Sequence, residues 1–476
     1  MKNYVAIFMA LLVLFSCEEA PKTVEVKEEK EDFVSISNEL LESAVIYEAN
    51  IRQYSPEGTF EAFTKDLPKL KELGVKVVWL MPIYPISMTK RKATDDLSIE
   101  DIEDEEEKKK YLGSYYAISD YTAINPEFGD MDDFDKLVET AHDLGMYVIL
   151  DWVANHTGWD HHWLEEHPEF YVKDRDGNIT DPINKETFET WGWTDTAHLD
   201  YDNEGLREAM KNEMLFWVKE KNIDGFRCDV AGEVPTDFWN ATVKELKKVK
   251  PIFMLAESEK RDLFFEAFDM GYNWEGHHIK NEIAQGKQSA KDWDEYMAKV
   301  DSTYQADDYL MNFVTNHDEN SWNGTIEERM GDAAEVMTVF TYVLRGMPLI
   351  YSGQEYDMNH RLKFFEKDSI PKTKGKMWPL LEKLGALKTT NEALHGAKEP
   401  ASYERLETSD NESIMAFRRQ KGNSEIIFIA NFTDQEQSFS LNTSGAYTDY
   451  MTGEADELVA EEEMTYPAWG YQILVK

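Results

Sequence analysis

The feature that most constrains the fold is an alternation of short apolar runs with amphipathic helical stretches, from about Ser43 to Ser352. Short apolar runs bounded by turn residues are typical of buried parallel strands, and the helical stretches supply the crossovers between them. The strand candidates are 45–50, 75–82, 147–152, 223–230, 252–257, 309–315 and 347–352, with a weaker one at 268–274. Eight such units would close into an α/β barrel, and a doubly wound sheet is the competing architecture.

A different pattern begins after about residue 395. Candidate strands at 413–418, 425–432, 438–441, 446–451 and 470–475 are short and are separated by polar turns, without helices between them. This pattern predicts an antiparallel β-sandwich over 395–476, following a barrel that occupies 43–394.

Residues 1–17 have the pattern of a signal peptide, with Lys2 followed by an apolar run up to Phe15. The stretch LFSC at 14–17 resembles a bacterial lipobox, which implies cleavage before Cys17 and a diacylglycerol on its thiol; plain secretion is the alternative. The following charged stretch lacks aromatic residues and predicts a tether over 18–42. We therefore expect a secreted lipoprotein, anchored to a membrane in the periplasm or at the cell surface.

The charge of the chain limits its partners. Asp and Glu number 93 against 50 Lys and Arg, which gives a formal net charge of −43. Such a surface repels phosphate backbones, so nucleic acid is excluded as a partner, whereas a neutral substrate such as a sugar is compatible. Acidity also serves solubility alone, and the sequence does not indicate an oligomeric state.

Ionisable residues cluster where four predicted strands end, and in a parallel barrel these ends share one face. They are Asp151, Asn155 and His156 after the third strand, Arg227 and Asp229 on the fourth, Glu257 on the fifth, and Asn316, His317 and Asp318 after the seventh. A structural ion pair would explain an ionisable residue at the end of one strand. It is a poor explanation for such residues at the ends of four strands. Asp229 and Glu257 are one strand–helix–strand unit apart, so we expect them on neighbouring strands about 5 Å apart, as a retaining glycosidase requires.

The stretches DWVANH, GFRCDVA, LAES and FVTNHD resemble, in this order, the four signature regions of the α-amylase family of glycoside hydrolases. The resemblance covers about residues 43–476. It implies a (β/α)8 TIM barrel, with a small domain inserted after the third strand at 157–203. It also implies endo-acting, retaining hydrolysis of α-1,4-glucosidic bonds in starch-derived oligosaccharides or polysaccharides.

Carried over residue by residue, the resemblance implies roles for three catalytic carboxylates. Asp229 would be the nucleophile, Glu257 the general acid/base, and Asp318 the group that favours the distorted transition state. Arg227 would keep Asp229 ionised, and Asp151 would hold Arg227. Glu257 must begin protonated, so its pKa should be raised by partial burial and by the neighbouring carboxylates.

The resemblance also implies groups that bind the reacting sugar. His156 and His317 would donate hydrogen bonds to its hydroxyls. The stretch GSYYAISDYTAINPEFG resembles the loop after the second strand of the family, which makes Tyr116 the stacking platform and Tyr115 the competing choice.

Departures from the family pattern leave the specificity open. Many α-amylases have Lys-His three and four residues after the nucleophile, where this chain has Gly232 and Glu233. The run DVAGEV is more similar to neopullulanases and cyclomaltodextrinases, yet a barrel that begins by Val45 leaves no room for their extra N-terminal domain. An α-glucosidase or transglycosylase remains an alternative. A non-catalytic glycan-binding lipoprotein is the alternative from another class, although all three carboxylates are present.

The chemistry itself needs no cofactor, but the resemblance implies a possible structural calcium ion. Asn155 would be one ligand, and an Asp of the inserted domain the other. His198 stands at that second position, with Asp200 and Asp202 nearby as substitutes.

Two further features have open interpretations. Trp191 and Trp193 either pack the inserted segment or form sugar platforms. The charged insertion at 87–112 is either a solvated loop or a lid over the cleft.

Overall fold

The computed structural model describes residues 36–94, 97–396 and 399–476. The predicted signal peptide, Cys17 and most of the predicted tether lie outside these residues. The predicted tether extends too far, because its last residues form helix α1 (Asn38–Glu42), with Leu41 buried and Glu42 2.8 Å from Lys421. Among the described helices, none is both long and apolar enough to cross a membrane.

Eight parallel strands close into a barrel in which each strand pairs with its neighbours in chain order, and the last pairs with the first. They are β1 (Val45–Ala49), β2 (Val75–Leu80), β3 (Tyr147–Trp152), β4 (Gly225–Cys228), β5 (Phe253–Ala256), β6 (Met270–Tyr272), β7 (Tyr309–Asn312) and β8 (Met347–Tyr351). The predicted TIM barrel is confirmed, and the doubly wound alternative is wrong. The weak candidate at 268–274 contains β6.

Helices surround the barrel and connect its strands. After α1 they are α2 (Ile51–Tyr54), α3 (Phe60–Thr64), α4 (Leu67–Glu72), α5 (Glu105–Lys108), α6 (Met131–Asp143), α7 (Trp163–Glu166), α8 (Glu204–Glu220), α9 (Thr236–Leu246), α10 (Trp274–Ala284), α11 (Ala290–Thr303), α12 (Ile326–Met330), α13 (Ala334–Val343) and α14 (Met377–Thr390). The amphipathic pattern of residues 60–73 predicts a single helix, but the structure has two, α3 and α4. Pro68 explains the break because it lacks a backbone N–H and favours the first turn of a new helix.

The two-residue period of the strands decides which side chains reach the active face. On β1, Ile46 belongs to the core inside the barrel, whereas Val45 and Tyr47 pack in the layer between strands and helices. Glu48 shares the inward face with Ile46. On β4, Cys228 packs in the outer layer, so the neighbouring Arg227 points inward. Cys228 itself is buried and points away from the inside of the barrel.

The C-terminal region is antiparallel, as predicted. Its strands are β9 (Glu404–Arg405), β10 (Ile414–Lys421), β11 (Ser424–Asn431), β12 (Gln437–Ser440), β13 (Gly445–Asp449), β14 (Ala455–Leu458), β15 (Glu463–Tyr466) and β16 (Tyr471–Val475). Six of them form one sheet in the order β9-β10-β11-β16-β13-β14, and β12 pairs with β15. The sequence did not predict β9, β14 or β15, which are short and mostly polar.

Two segments at the mouth of the barrel are held by short pairings. After β3, His156–Gly158 pairs antiparallel with Thr196–His198, which closes the base of the inserted segment. After β2, residues Ile86 and Ile118 form a bridge at the base of the charged insertion. Both segments therefore lie at the carboxyl ends of the strands.

Candidate active site

A single buried guanidinium organises the ionisable residues at the mouth of the barrel. Arg227 Nη1 lies 2.9 Å from Asp151 Oδ1 and 2.9 Å from Asp229 Oδ1. Its Nη2 lies 2.9 Å from Glu257 Oε2, and its Nε donates to the Tyr272 hydroxyl at 3.2 Å. Three carboxyl groups from three consecutive strands thus share one cation.

The register of two neighbouring strands brings Asp229 and Glu257 side by side. Cys228 pairs with Ala256, and the Glu257 N–H donates to the Cys228 carbonyl at 3.0 Å. The two residues therefore lie on neighbouring strands, as expected from the sequence, and adjacent strands are about 5 Å apart.

Glu257 is held in place by the backbone that follows Asp229. The Val230 N–H donates to Glu257 Oε2 at 2.7 Å. Val230 has a φ of 36°, a left-handed conformation that is costly for a β-branched residue and is kept only where the surroundings impose it. The sequence did not indicate a role for Val230, because a left-handed conformation is not expected of valine.

Glu257 has the raised pKa that a general acid requires. Burial raises the pKa of Glu257 to about 8, Asp229 and Asp318 add to this rise, and Arg227 opposes it. The expected raised pKa therefore has the expected causes. A carboxyl group of this kind can supply a proton near neutral pH.

Asp151 connects Arg227 to the wall of the cleft. Its Oδ2 accepts hydrogen bonds from Trp79 Nε1 at 3.2 Å and from the Tyr116 hydroxyl at 3.1 Å. Burial raises the pKa of this carboxyl above its ordinary value, while the Arg227 guanidinium opposes the shift. Asp151 is completely buried and cannot reach a substrate, so its place agrees with the predicted positioning role.

His317 is held by a carboxylate that sequence reasoning missed. Its Nδ1 lies 2.5 Å from Glu48 Oε1, and its Nε2 lies 2.8 Å from the Tyr116 hydroxyl and 3.4 Å from Asp318 Oδ2. Burial opposes a charge on this ring, but Asp318 and Glu48 raise the pKa of His317 to about 9. The sequence did contain a signal for Glu48, because it is the one acidic residue within the otherwise apolar strand VIYEA.

The structure distinguishes between the two candidate tyrosines. Tyr116 lines the cleft and contacts His317, with ring centres 5.6 Å apart. Tyr115 is buried beneath it and donates to Asn50 Oδ1 at 3.1 Å. Only Tyr116 is placed to contact a ligand in the cleft.

The three predicted catalytic carboxylates and the predicted sugar-binding residues Tyr116, His156 and His317 line one cleft of about 560 Å³, a size that suits a small-molecule ligand. Its lining includes Asp229, Glu257, Asp318, Tyr116, His156, His317, Trp191, Trp193, Trp322, Phe364 and Phe365. A separate cavity of about 290 Å³ between α11 and the start of β7 contains none of the predicted catalytic residues. The predicted catalytic residues therefore belong to the first cleft.

The inserted segments form one rim of this cleft. Trp193 contacts His156 with ring centres 5.5 Å apart, and burial lowers the pKa of His156 to about 4, so its ring is neutral. From the charged insertion, Lys92 lines the cleft and donates to the Gly192 carbonyl at 2.8 Å. The two tryptophans thus face the cleft, and the insertion is joined to the loop that carries them.

The residues expected to bind calcium do not form an oxygen cage. Asn155 directs its amide nitrogen toward a histidine ring, and His198 Nδ1 accepts a backbone N–H. Asp200 and Asp202 lie 2.8 and 3.9 Å from Lys185 Nζ. Calcium requires about six or more oxygen ligands. Within residues 36–94, 97–396 and 399–476, no group of three or more His, Cys, Asp or Glu could hold a metal, so these residues do not fit the ion.

The sequence matches the family model described as "Alpha amylase, catalytic domain" over residues 35–425. The chain belongs to the α-amylase family. It is therefore a glycoside hydrolase with an α-amylase-type barrel, and the strand ends described above form its candidate active face. A second model, described as "Beta-galactosidase C-terminal domain", matches residues 414–476.

Several relatives are similar to this chain over between about half and nine tenths of its length. An α-amylase of Haloarcula japonica is 24% identical over 429 residues, which cover 87% of this chain and 59% of that protein. An α-1,4-glucan:maltose-1-phosphate maltosyltransferase of Salinibacter ruber is 30% identical over 247 residues, 47% of this chain and 34% of that enzyme. The chain thus spans less than two thirds of either relative. The crystal structure of a noncanonic maltogenic α-amylase, AmyB from Thermotoga neapolitana, is 28% identical, with a TM-score of 0.80 over 92% of this chain and 99% of that one.

Proposed function

We propose that the protein is a retaining, endo-acting α-glucan hydrolase that cleaves α-1,4-glucosidic bonds of starch-derived chains by double displacement. The observation that carries this proposal is the single guanidinium of Arg227, 2.9 Å from both Asp229 and Glu257 on neighbouring strands. Retaining glycosidases have two carboxyl groups about 5 Å apart, whereas inverting enzymes need room for a water between them. The short spacing of adjacent strands supports the retaining mechanism.

In the first step, Asp229 attacks the anomeric carbon while Glu257 protonates the departing glycosidic oxygen. The bond from the anomeric carbon to that oxygen breaks, and a glycosyl ester on Asp229 forms. In the second step, the Glu257 carboxylate takes a proton from water, whose oxygen attacks the same carbon and releases Asp229. Both steps leave the product in the starting anomeric form and return the proton to Glu257.

The surrounding residues support this assignment of roles. Arg227 stabilises the Asp229 carboxylate between the steps, because it remains charged at any working pH. Asp318, whose side chain is 35% exposed at the cleft, is available to sugar hydroxyls. His156 is neutral and His317 is cationic, so both can donate hydrogen bonds to hydroxyls.

The relatives support an α-glucan substrate but differ in the acceptor. The Haloarcula japonica and Thermotoga neapolitana proteins are named α-amylases, and the Salinibacter ruber enzyme is named as a maltosyltransferase. Hydrolysis and transfer share the first displacement and differ in whether water or a sugar takes the second. Transglycosylation is therefore the second candidate activity.

We also propose that the enzyme is a secreted lipoprotein, anchored through a diacylglycerol on Cys17. The lipobox-like stretch LFSC and the apolar run before it support this proposal. Metabolic labelling with an alkyne fatty acid should label the wild-type chain but not Cys17→Ser; equal labelling of both would contradict it.

The catalytic proposal is tested with the chain from residue 21 onward, which keeps every described residue. We expect it to convert maltoheptaose into shorter α-anomeric products, observed by NMR at early times, and we expect Asp229→Asn to form none. Initial β-anomeric products would contradict retention. Products longer than the substrate would indicate transfer, and binding without cleavage by the wild type would contradict catalysis.

A further inference from the structure

A large exposed side chain, Trp322, lies at the mouth of the cleft, where the mechanism gives it no role. Its side chain is 50% exposed, and its ring centre is 5.1 Å from that of Phe364 and 6.1 Å from that of Phe365. The Phe364 ring is nearly parallel to that of Tyr116, at 8° and 6.3 Å between centres. Tyr116, Phe364, Phe365 and Trp322 therefore form a continuous aromatic wall that runs from the reacting centre to the solvent.

Buried polar contacts fix the aromatic wall in this arrangement. Asn320, two residues before Trp322, accepts the Leu362 N–H at 2.8 Å, which joins the loop after β7 to the loop after β8. Buried Gln53 donates two hydrogen bonds of 2.7 Å to carbonyls within residues 363–366. A platform whose geometry exists before a ligand arrives loses little entropy on binding. A contiguous exposed aromatic patch, unlike a single exposed side chain, is typical of a binding surface.

The position of the aromatic wall around the barrel indicates which part of a substrate it contacts. Glu257 follows β5, whereas Trp322 follows β7, and Phe364 and Phe365 follow β8. In an eight-stranded barrel β1 lies opposite β5. The loop after β2, which carries Tyr116, and the loop after β8, which carries the two phenylalanines, lie on either side of β1. Tyr116, Phe364 and Phe365 therefore lie across the cleft from the proton donor. Trp322, which follows β7, lies beside them through its ring contacts with Phe364 and Phe365.

We propose that the aromatic wall, with Trp322 at its outer end, is a binding site for the second glucosyl unit on the donor side of the scissile bond. This inference rests on the proposed function, in which the leaving group lies at Glu257 and the glycosyl unit attached to Asp229 lies over Tyr116. The next unit toward the non-reducing end then extends away from Glu257 and lies against Trp322. One face of a glucopyranose carries only C–H bonds, which pack on the negative face of an aromatic ring.

Two fluoride substrates separate this site from the rest of the cleft. In α-glucosyl fluoride the donor is one glucose, and in α-maltosyl fluoride it is two, while fluoride occupies no acceptor site. We expect Trp322→Ala to lower kcat/KM for α-maltosyl fluoride about tenfold, as the loss of one stacked aromatic contact would. Its kcat/KM for α-glucosyl fluoride should remain at the wild-type value. Trp322→Tyr, which keeps a ring, should restore most of the loss.

A matched control is Phe265→Ala, which removes another exposed aromatic ring, 59% exposed, that does not line the cleft. It should leave both rates unchanged. Equal losses on both fluorides in Trp322→Ala would overturn the proposal, because they would reflect the reacting sugar or the fold. The proposal would also be overturned if Trp322→Ala kept the wild-type kcat/KM on both fluorides but used maltose less well as an acceptor. That result would place Trp322 on the acceptor side of the scissile bond. A wild type inactive on both fluorides would instead contradict the proposed function, and this site with it.

Discussion

Arg227 at the mouth of the barrel and Arg419 on β10, in the seam between the barrel and the C-terminal sheet, are both completely buried. Arg227 is surrounded by carboxyl groups. Arg419 donates only to main-chain carbonyls, those of Leu344 at 2.6 Å, Ser402 at 3.2 Å, and Val343 and His395 at 3.3 Å. The same side chain therefore serves two purposes, and its partners determine which one.

The pKa values of the two guanidinium groups follow from these surroundings. Burial opposes the charge of both. At Arg227 the charges of Asp151 and Glu257 overcome burial and raise its pKa well above the ordinary value. At Arg419 nothing comparable compensates, and burial lowers its pKa to about 10. The carboxyl groups of Asp151, Asp229 and Glu257 form a carboxylate shell around Arg227, which places charges where the reaction is proposed to occur. The main-chain carbonyls around Arg419 form a carbonyl shell, which joins the barrel to the C-terminal sheet.

The largest expected effect comes from breaking the carboxylate shell. Arg227→Lys keeps a positive charge but loses the planar fork that contacts Asp151, Asp229 and Glu257 together. We expect kcat on maltoheptaose to fall about 10³-fold, with a smaller change in KM, because the lost contacts act on the reacting groups. Steady-state kinetics measure this. Arg419→Lys is the matched control, and an equal loss of kcat there would contradict the difference between the two arginines.

Glu257 gives the next effect, because its proton depends on the same shell. We expect Glu257→Gln to lower kcat/KM for maltoheptaose at least about 10²-fold. The loss should be much smaller for α-maltosyl fluoride, since fluoride leaves without a proton. In the wild type the acid must be protonated, so kcat/KM should fall as the pH rises through about 8, the raised pKa of Glu257. If Glu257→Gln lowered kcat/KM equally on maltoheptaose and on α-maltosyl fluoride, Glu257 would not be the general acid.

Sequence reasoning was most reliable where local pattern and chemistry coincide. The eight strands, Arg227, Asp229 and Glu257 follow from apolar runs that end in ionisable residues. The division of α3 from α4 was missed, although Pro68 was visible. Phe364 and Trp322 could not be predicted as neighbours, because only tertiary packing joins the loops after β7 and β8. For the possible calcium site, Asp200 and Asp202 were offered as substitutes for a ligand at His198. Both lie within 3.9 Å of Lys185, and that proximity has no sequence signature.

The carbonyl shell is tested by stability rather than by rate. Arg419→Met leaves buried carbonyls without donors, and we expect the free energy of unfolding to fall by about 2 kcal/mol. Urea unfolding followed by circular dichroism measures this, and kcat should not change. The neighbouring Arg418→Met removes a pairing with Glu404 whose side chains are 23% and 59% exposed, and should cost less than about 1 kcal/mol. Equal costs for the two variants would show that burial of the arginine does not matter.

Glu48 extends the comparison to a buried carboxylate that acts through histidine rather than arginine, and it gives the smallest effect. Glu48→Gln removes the anion 2.5 Å from His317 Nδ1, so the pKa of His317 should fall from about 9 and the ring should lose its charge at lower pH. We expect kcat/KM to fall about tenfold, as for other groups that orient a contacting residue. In the wild type Glu257 sets the alkaline limb at about 8; in the variant we expect the pKa of His317 to fall below that value, so its loss of charge moves the limb to lower pH. A tenfold loss with an unmoved limb would mean that Glu48 only packs the barrel mouth. The shift itself would show that a charge facing into the barrel from β1 reaches the substrate through His317.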